Sequence, residues 1–77
     1  NLDDKNQIQE SNKQLNAYNK EIDAQINKLK KDLAATNKAE AKKNITNEIK
    51  SLETTKKQNQ QSIAANTKKL GELNSQP

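Results

Sequence analysis

The sequence predicts an all-α fold, a two-helix antiparallel coiled-coil hairpin with a short turn near residues 36–41. Three observations support this fold. The single glycine and the single proline, Gly71 and Pro77, leave a long stretch before them without helix breakers. Leucine and isoleucine recur at heptad spacing, which is typical of a coiled-coil seam. Two such seams are present, and they are out of phase with each other, which disfavours one continuous helix.

The first seam predicts a helix over residues 2–35. Four of its apolar residues are spaced seven apart, and the other two each lie four residues after one of these. All of them therefore share one helix face. Polar residues occupy two further seam positions. The predicted core residues of this helix are Ile8, Leu15, Ile22, Ile26, Leu29 and Leu33, and the polar seam residues are Asn12 and Asn19.

The second seam predicts a helix over residues 42–73, followed by a polar tail over 74–77. Its members alternate steps of three and four residues, which again places them on one face. The predicted core residues of this helix are Ile45, Ile49, Leu52, Ile63, Leu70 and Leu73, and the seam also contains Lys56 and the polar residues Asn59 and Asn66.

A change of frame between the seams predicts the turn. Leu33 and Ile45 are 12 residues apart, and inserting three or four residues into a regular coiled coil does not repair such a shift. Asn37 is suited to cap a new helix, and Glu40, three residues later, can complete a capping box. We therefore expect the turn within residues 36–41, centred on residues 37–39.

One antiparallel register places most aliphatic seam residues opposite aliphatic residues and asparagine opposite asparagine. When the numbers of facing residues sum to 78, five layers are wholly aliphatic and two are Asn–Asn, whereas each neighbouring register gives three aliphatic layers. Asp23 then lies near Glu53, and Asp32 near Glu48, but like-charged pairs cost only a few tenths of a kcal/mol. The asparagines either set the register or reflect the abundance of asparagine in this chain, and the two interpretations carry equal weight.

The composition argues against an enzyme. Cysteine, histidine and arginine are absent, and the chain offers no convergent set of catalytic groups, so we expect no catalytic residue, no metal and no cofactor. Tyr18, the single aromatic residue, flanks the seam and is interpreted as a packing residue. Apolar runs are too short for membrane insertion.

Leucine and isoleucine make up so small a share of the residues that disorder is the competing interpretation. The net charge of +4 comes entirely from lysine, and without arginine or further aromatic residues it disfavours nucleic-acid binding.

Residues 63–70, with the sequence Ile-Ala-Ala-Asn-Thr-Lys-Lys-Leu, resemble the Ile-x-x-Asn-Thr-x-x-aliphatic element of trimeric autotransporter adhesin stalks. That resemblance implies a parallel trimer in which Asn66 is an anion ligand and Thr67 its neighbour. The Lys-, Asn-, Gln- and Ala-rich composition also resembles the coiled-coil regions of low-GC bacterial surface proteins, such as the regulatory domains of secreted peptidoglycan hydrolases. This second resemblance implies an extracytoplasmic location, secreted or at the cell surface.

Three functions follow as hypotheses. The first is a non-enzymatic structural or interaction module that spaces, docks or oligomerises a larger assembly, with a protein partner or a second copy on its helical surfaces and no small-molecule substrate. The second is a parallel trimeric fibrous stalk. The third is weak binding of nucleic acid or anionic surfaces through lysines 38, 42, 43, 56, 57, 68 and 69.

Overall fold

The chain forms two long helices packed side by side in a computed structural model that describes residues 2–75. Helix α1 spans Leu2–Ala35 and helix α2 spans Ala39–Asn74. Asn19 pairs with Asn59 and Asn12 with Asn66, so residue numbers rise along one helix as they fall along the other. The predicted all-α antiparallel hairpin is confirmed.

The hairpin is a narrow rod. Its principal dimensions are 61 × 14 × 12 Å. A helix of 34–36 residues is about 51–54 Å long at 1.5 Å per residue, so the rod is little longer than one of its helices. A chain that ran as one extended helix would measure more than 100 Å at the same rise. The chain therefore folds back on itself and does not form an extended stalk strand.

The turn is shorter than the sequence predicted. Between the two helices only residues 36–38 lie outside helix, and α2 begins at Ala39 instead of residue 42. It also continues to Asn74, one residue past the predicted end at 73. Residues 76 and 77 of the predicted tail lie outside the described part of the chain. Alanine, lysine and glutamate are strong helix formers, and they explain why the first turn of α2 extends back through residues 39–42.

The predicted capping box does not form. The N-cap of α2 is Lys38, whose backbone is extended (φ −84°, ψ 124°) and whose side chain makes no capping hydrogen bond. Asn37 lies one residue too early to cap this helix. Thr36 contributes instead: its backbone N–H donates to the Asp32 carbonyl at 3.1 Å, and its hydroxyl accepts from the Lys38 N–H at 3.4 Å. The hydroxyl thus satisfies a donor beside the start of α2.

The best-packed core lies in the half of the rod nearer the turn. Ile22, Ile26 and Ile49 are buried, and Ile22 is fully inaccessible to solvent. Three half-buried residues pack against this cluster: Leu29, Ile45 and Leu52. Towards the open end of the hairpin the seam side chains are only half-buried: Ile8, Leu15, Ile63, Leu70 and Leu73. Leu33, next to the turn, is also half-buried.

Candidate functional site

A pair of amides crosses the middle of the seam. The Asn59 side-chain amide Nδ2 donates to Asn19 Oδ1 at 3.0 Å. Asn19 is 8% exposed and lies one helical turn from Ile22, which is fully buried. Replacing either partner alone would leave a buried polar group without its hydrogen bond, so the pair favours the alignment that keeps both residues opposite each other.

A second polar layer lies nearer the open end. Asn66 Nδ2 donates to Asn12 Oδ1 at 3.0 Å and lies 3.4 Å from Ser11 Oγ. Both asparagine pairs therefore have residue numbers that sum to 78, as the sequence-based register requires. In this arrangement Asn66 faces an antiparallel neighbour, and the Thr67 hydroxyl donates to the Ile63 carbonyl of its own helix at 2.8 Å.

An ion pair also joins the helices. Lys56 Nζ donates to Asp23 Oδ1 at 2.6 Å, with the two side chains 32% and 51% exposed. Lys56 occupies a seam position opposite Ile22, and its amine leaves the seam to reach the carboxylate. The contact is open to water, so it contributes at most about 1 kcal/mol to stability.

The exposed side chains divide into two faces of opposite charge, one on each side of the seam. Heptad positions b and e lie on one side of the a/d seam, and positions c and g lie on the other. We call the b and e side the basic face, because it carries six exposed lysines and two acids, Asp23 and Glu53. Its lysines are Lys13, Lys20, Lys30, Lys43, Lys50 and Lys57.

The c and g side is the acidic face. It carries five exposed acids and two lysines, Lys28 and Lys69, for a net charge of −3 against +4 on the basic face. Its acids are Asp4, Glu21, Asp32, Glu48 and Glu72. The +4 net charge of the whole chain therefore hides a marked asymmetry across the rod.

Each face contains a shallow groove between the helices. The groove of the acidic face has Leu29 and Leu52 among its lining residues, with Lys28, Asp32 and Glu48 beside them. The groove of the basic face is lined by Ile26 together with charged residues that include Lys30, Lys56 and Lys57. Tyr18, expected to pack against the seam, is instead 48% exposed, and its g position places it on the acidic face. Both grooves are open to solvent.

Neither a metal-ligand group nor a membrane-spanning stretch occurs among the described residues. Within residues 2–75 no group of histidine, cysteine, aspartate or glutamate side chains could hold a metal ion. Neither of the two described helices has a stretch long and apolar enough to cross a membrane. The features that distinguish this chain are its polar layers and its outer faces.

No family model matches the chain, and comparisons with curated proteins and with solved structures also give no match.

Sequence reasoning missed two polar partners in the hairpin, Asp23 and Ser11. A signal for the first was present, because a lysine at a seam position is long enough to reach a carboxylate that flanks the opposite seam. Ser11 beside Asn66 had no comparable signal, since serine at a flanking position is equally suited to solvent.

Proposed function

We propose that this chain is a non-enzymatic coiled-coil module that spaces, docks or oligomerises a larger assembly through its outer helical surfaces, in an extracytoplasmic setting. The observation that carries the proposal is the asparagine-matched hairpin, which fixes two long faces of opposite charge on a narrow rod. A coiled coil with a defined register presents its outer residues in a fixed pattern. Such a pattern is what a docking or spacing element requires.

The half-buried seam supports the same proposal. Full burial of a leucine or isoleucine stabilises a fold by roughly 1.5–3 kcal/mol, and most of the seam residues fall short of it. The seam side chains of the two-helix hairpin therefore remain partly exposed. Packing against a further helix would bury them and stabilise the fold. The extracytoplasmic setting rests only on the compositional resemblance to bacterial surface coiled coils.

The experiment that tests this proposal follows helicity and mass together. Circular dichroism and analytical ultracentrifugation of the purified chain across concentration should show a helical particle whose helicity stays high or rises with association. Small-angle scattering should give a rod of about 60 Å, close to the 61 Å dimension of the hairpin. A chain that remains unfolded at every concentration, with or without other proteins of its assembly, would contradict the proposal.

The basic face supports a second candidate function, weak binding to an anionic polymer or surface. Lys43, Lys50 and Lys57 recur every seven residues, about 10.5 Å apart along α2. Such binding should weaken steeply as salt concentration rises, because lysine contacts to a polyanion release counterions. Titration of the chain with inorganic polyphosphate at two salt concentrations measures this directly.

A further inference from the structure

We propose that copies of this chain associate side by side, with the basic face of one hairpin on the acidic face of the next. The inference rests on the proposed interaction function and deepens it, because it names a second copy of the chain as the partner.

Charge complementarity is the first argument. The basic face carries +4 and the acidic face −3; the acids of the acidic face are spread along the rod, whereas the lysines of the basic face lie within residues 13–30 and 43–57. Exposed lysines on b positions of α2, Lys50 and Lys57, would lie opposite acids such as Asp32 and Glu48 of the neighbouring copy. Opposed charges of this kind steer association and fix which surfaces meet.

Apolar area is the second argument. Leu29 and Leu52 are half-buried among the residues that line the groove of the acidic face. Tyr18, 48% exposed, extends the apolar area of the same face towards the open end. An aromatic side chain beside aliphatic residues and rimmed by charge is the composition found at protein interfaces. A neighbouring helix would cover these side chains.

The charge pattern also selects the symmetry of the contact. A two-fold contact joins the same patch on both copies, which here would oppose lysines to lysines or acids to acids. Contact between unlike faces is heterologous, so each copy keeps one face available for another neighbour. Association should therefore continue beyond a dimer, as a row or a closed ring of hairpins.

Analytical ultracentrifugation of the full chain at low and high salt provides the first test. At about 20 mM salt the average mass should rise with protein concentration and pass that of a dimer. At about 500 mM salt, where the Debye length is a few ångströms, the apparent association constant should fall by roughly tenfold or more.

Charge-reversed variants provide the second test. Lys50→Glu with Lys57→Glu lowers the net charge of the basic face from +4 to 0, and Asp32→Lys with Glu48→Lys raises that of the acidic face from −3 to +1. Each double variant alone should lose association, because it no longer has two faces of opposite net charge. An equimolar mixture of the two should associate again, since each supplies the face that the other lacks.

Matched controls change the same charge elsewhere. Lys31→Glu with Lys68→Glu alters two exposed lysines at f positions, outside both faces, and should leave association within about twofold of the parent chain. Circular dichroism of every variant shows whether the hairpin is still folded.

Several results would overturn the inference. These are a helical chain that stays monomeric at low salt, association that neither salt nor the reversals change, and double variants whose mixture fails to associate. Binding of inorganic polyphosphate through the basic face by a chain that does not self-associate would assign that face to a polyanion. A helical monomer would contradict self-association but not the proposed docking function. An unfolded chain would contradict both.

Discussion

Asn19 is the deepest polar side chain among the described residues, and its partner lies on the other helix. Its amide oxygen accepts from Asn59 Nδ2 at 3.0 Å, in a position that is 8% exposed. Burying two amides that are hydrogen-bonded to each other costs little free energy. Removing one of them leaves the other buried without its hydrogen bond, at the full cost of its desolvation, so the two residues should be energetically coupled.

A double-mutant cycle measures that coupling. Asn19→Leu and Asn59→Leu should each destabilise the hairpin, or stabilise it by less than the added apolar area implies. The double variant should be more stable than either single variant. We expect a coupling energy of about 1–2 kcal/mol from thermal or urea unfolding. The same cycle at Asn12 and Asn66, which are more exposed, is the control and should give a smaller value. Additive effects at Asn19 and Asn59 would show that the pair does not act as a unit.

Gly71 supplies a second prediction at this scale. It lies inside α2 without a positive φ, and a methyl group added there would meet no described atom within 4 Å. Alanine has a higher helix propensity than glycine, so Gly71→Ala should stabilise the hairpin by about 0.5–1 kcal/mol or somewhat less near a helix end. Urea unfolding monitored by circular dichroism measures the change. A destabilised variant would mean that the helix does not continue through residue 71.

Heptad spacing was enough to predict which residues meet but not how deeply each is buried. Registers of a coiled coil differ in steps of seven residues, so the pairing of Asn12 with Asn66 follows once one register is favoured. Burial depends on how the side chains around each seam residue pack over it, and spacing alone contains no such information. Ile22 and Ile8 occupy the same heptad position, yet only Ile22 is fully buried.

The boundary of α2 shows what sequence reasoning could not resolve at the scale of an element. Asn37 and Glu40 have the spacing of a capping box, but the helix begins one residue too late for Asn37 to act as its cap. The change of heptad frame between the seams predicted that the helix is interrupted, but it did not specify at which residues. Helix formers at residues 39–42 then set the start of the helix, with the Thr36 hydroxyl next to it.

Lys38 is therefore a poor residue for the position that it occupies. It places a positive charge at the positive end of the helix dipole, and it provides no side-chain oxygen for the first N–H groups. Lys38→Asp should stabilise the hairpin by about 1 kcal/mol, as measured by chemical unfolding. Lys38→Ala is the matched control, because it removes the charge without adding a cap. Equal stability of the Asp and Ala variants would show that residue 38 is not the N-cap in solution.

At the scale of the whole molecule, the register predicts which engineered cysteines can join. Leu15 and Ile63 face each other when paired numbers sum to 78, whereas Leu15 and Leu70 meet only in the next register. Cysteines at 15 and 63 should therefore close within one chain under mild oxidation several times faster than cysteines at 15 and 70, provided that their Cα atoms approach within the usual range of about 4.4–6.8 Å.

Non-reducing electrophoresis and peptide mapping identify the products of both cysteine pairs. Faster disulfide formation by the 15/70 pair would indicate a register shifted by one heptad. Exclusive cross-linking of a single Leu15→Cys variant to another copy, without closure of the 15/63 pair, would indicate parallel chains.

The open end of the hairpin has a mechanical consequence. Because residues near Lys5 and Leu73 lie at the same end of the rod, a force that pulls them apart acts across the seam and loads one layer at a time. The half-buried layers between the open end and the Asn12–Asn66 pair would yield first, and extension would then meet the isoleucine cluster at Ile22. Such a hairpin gives way gradually under tension and closes again from its turn, so it would behave as a reversible extensible link instead of a rigid strut.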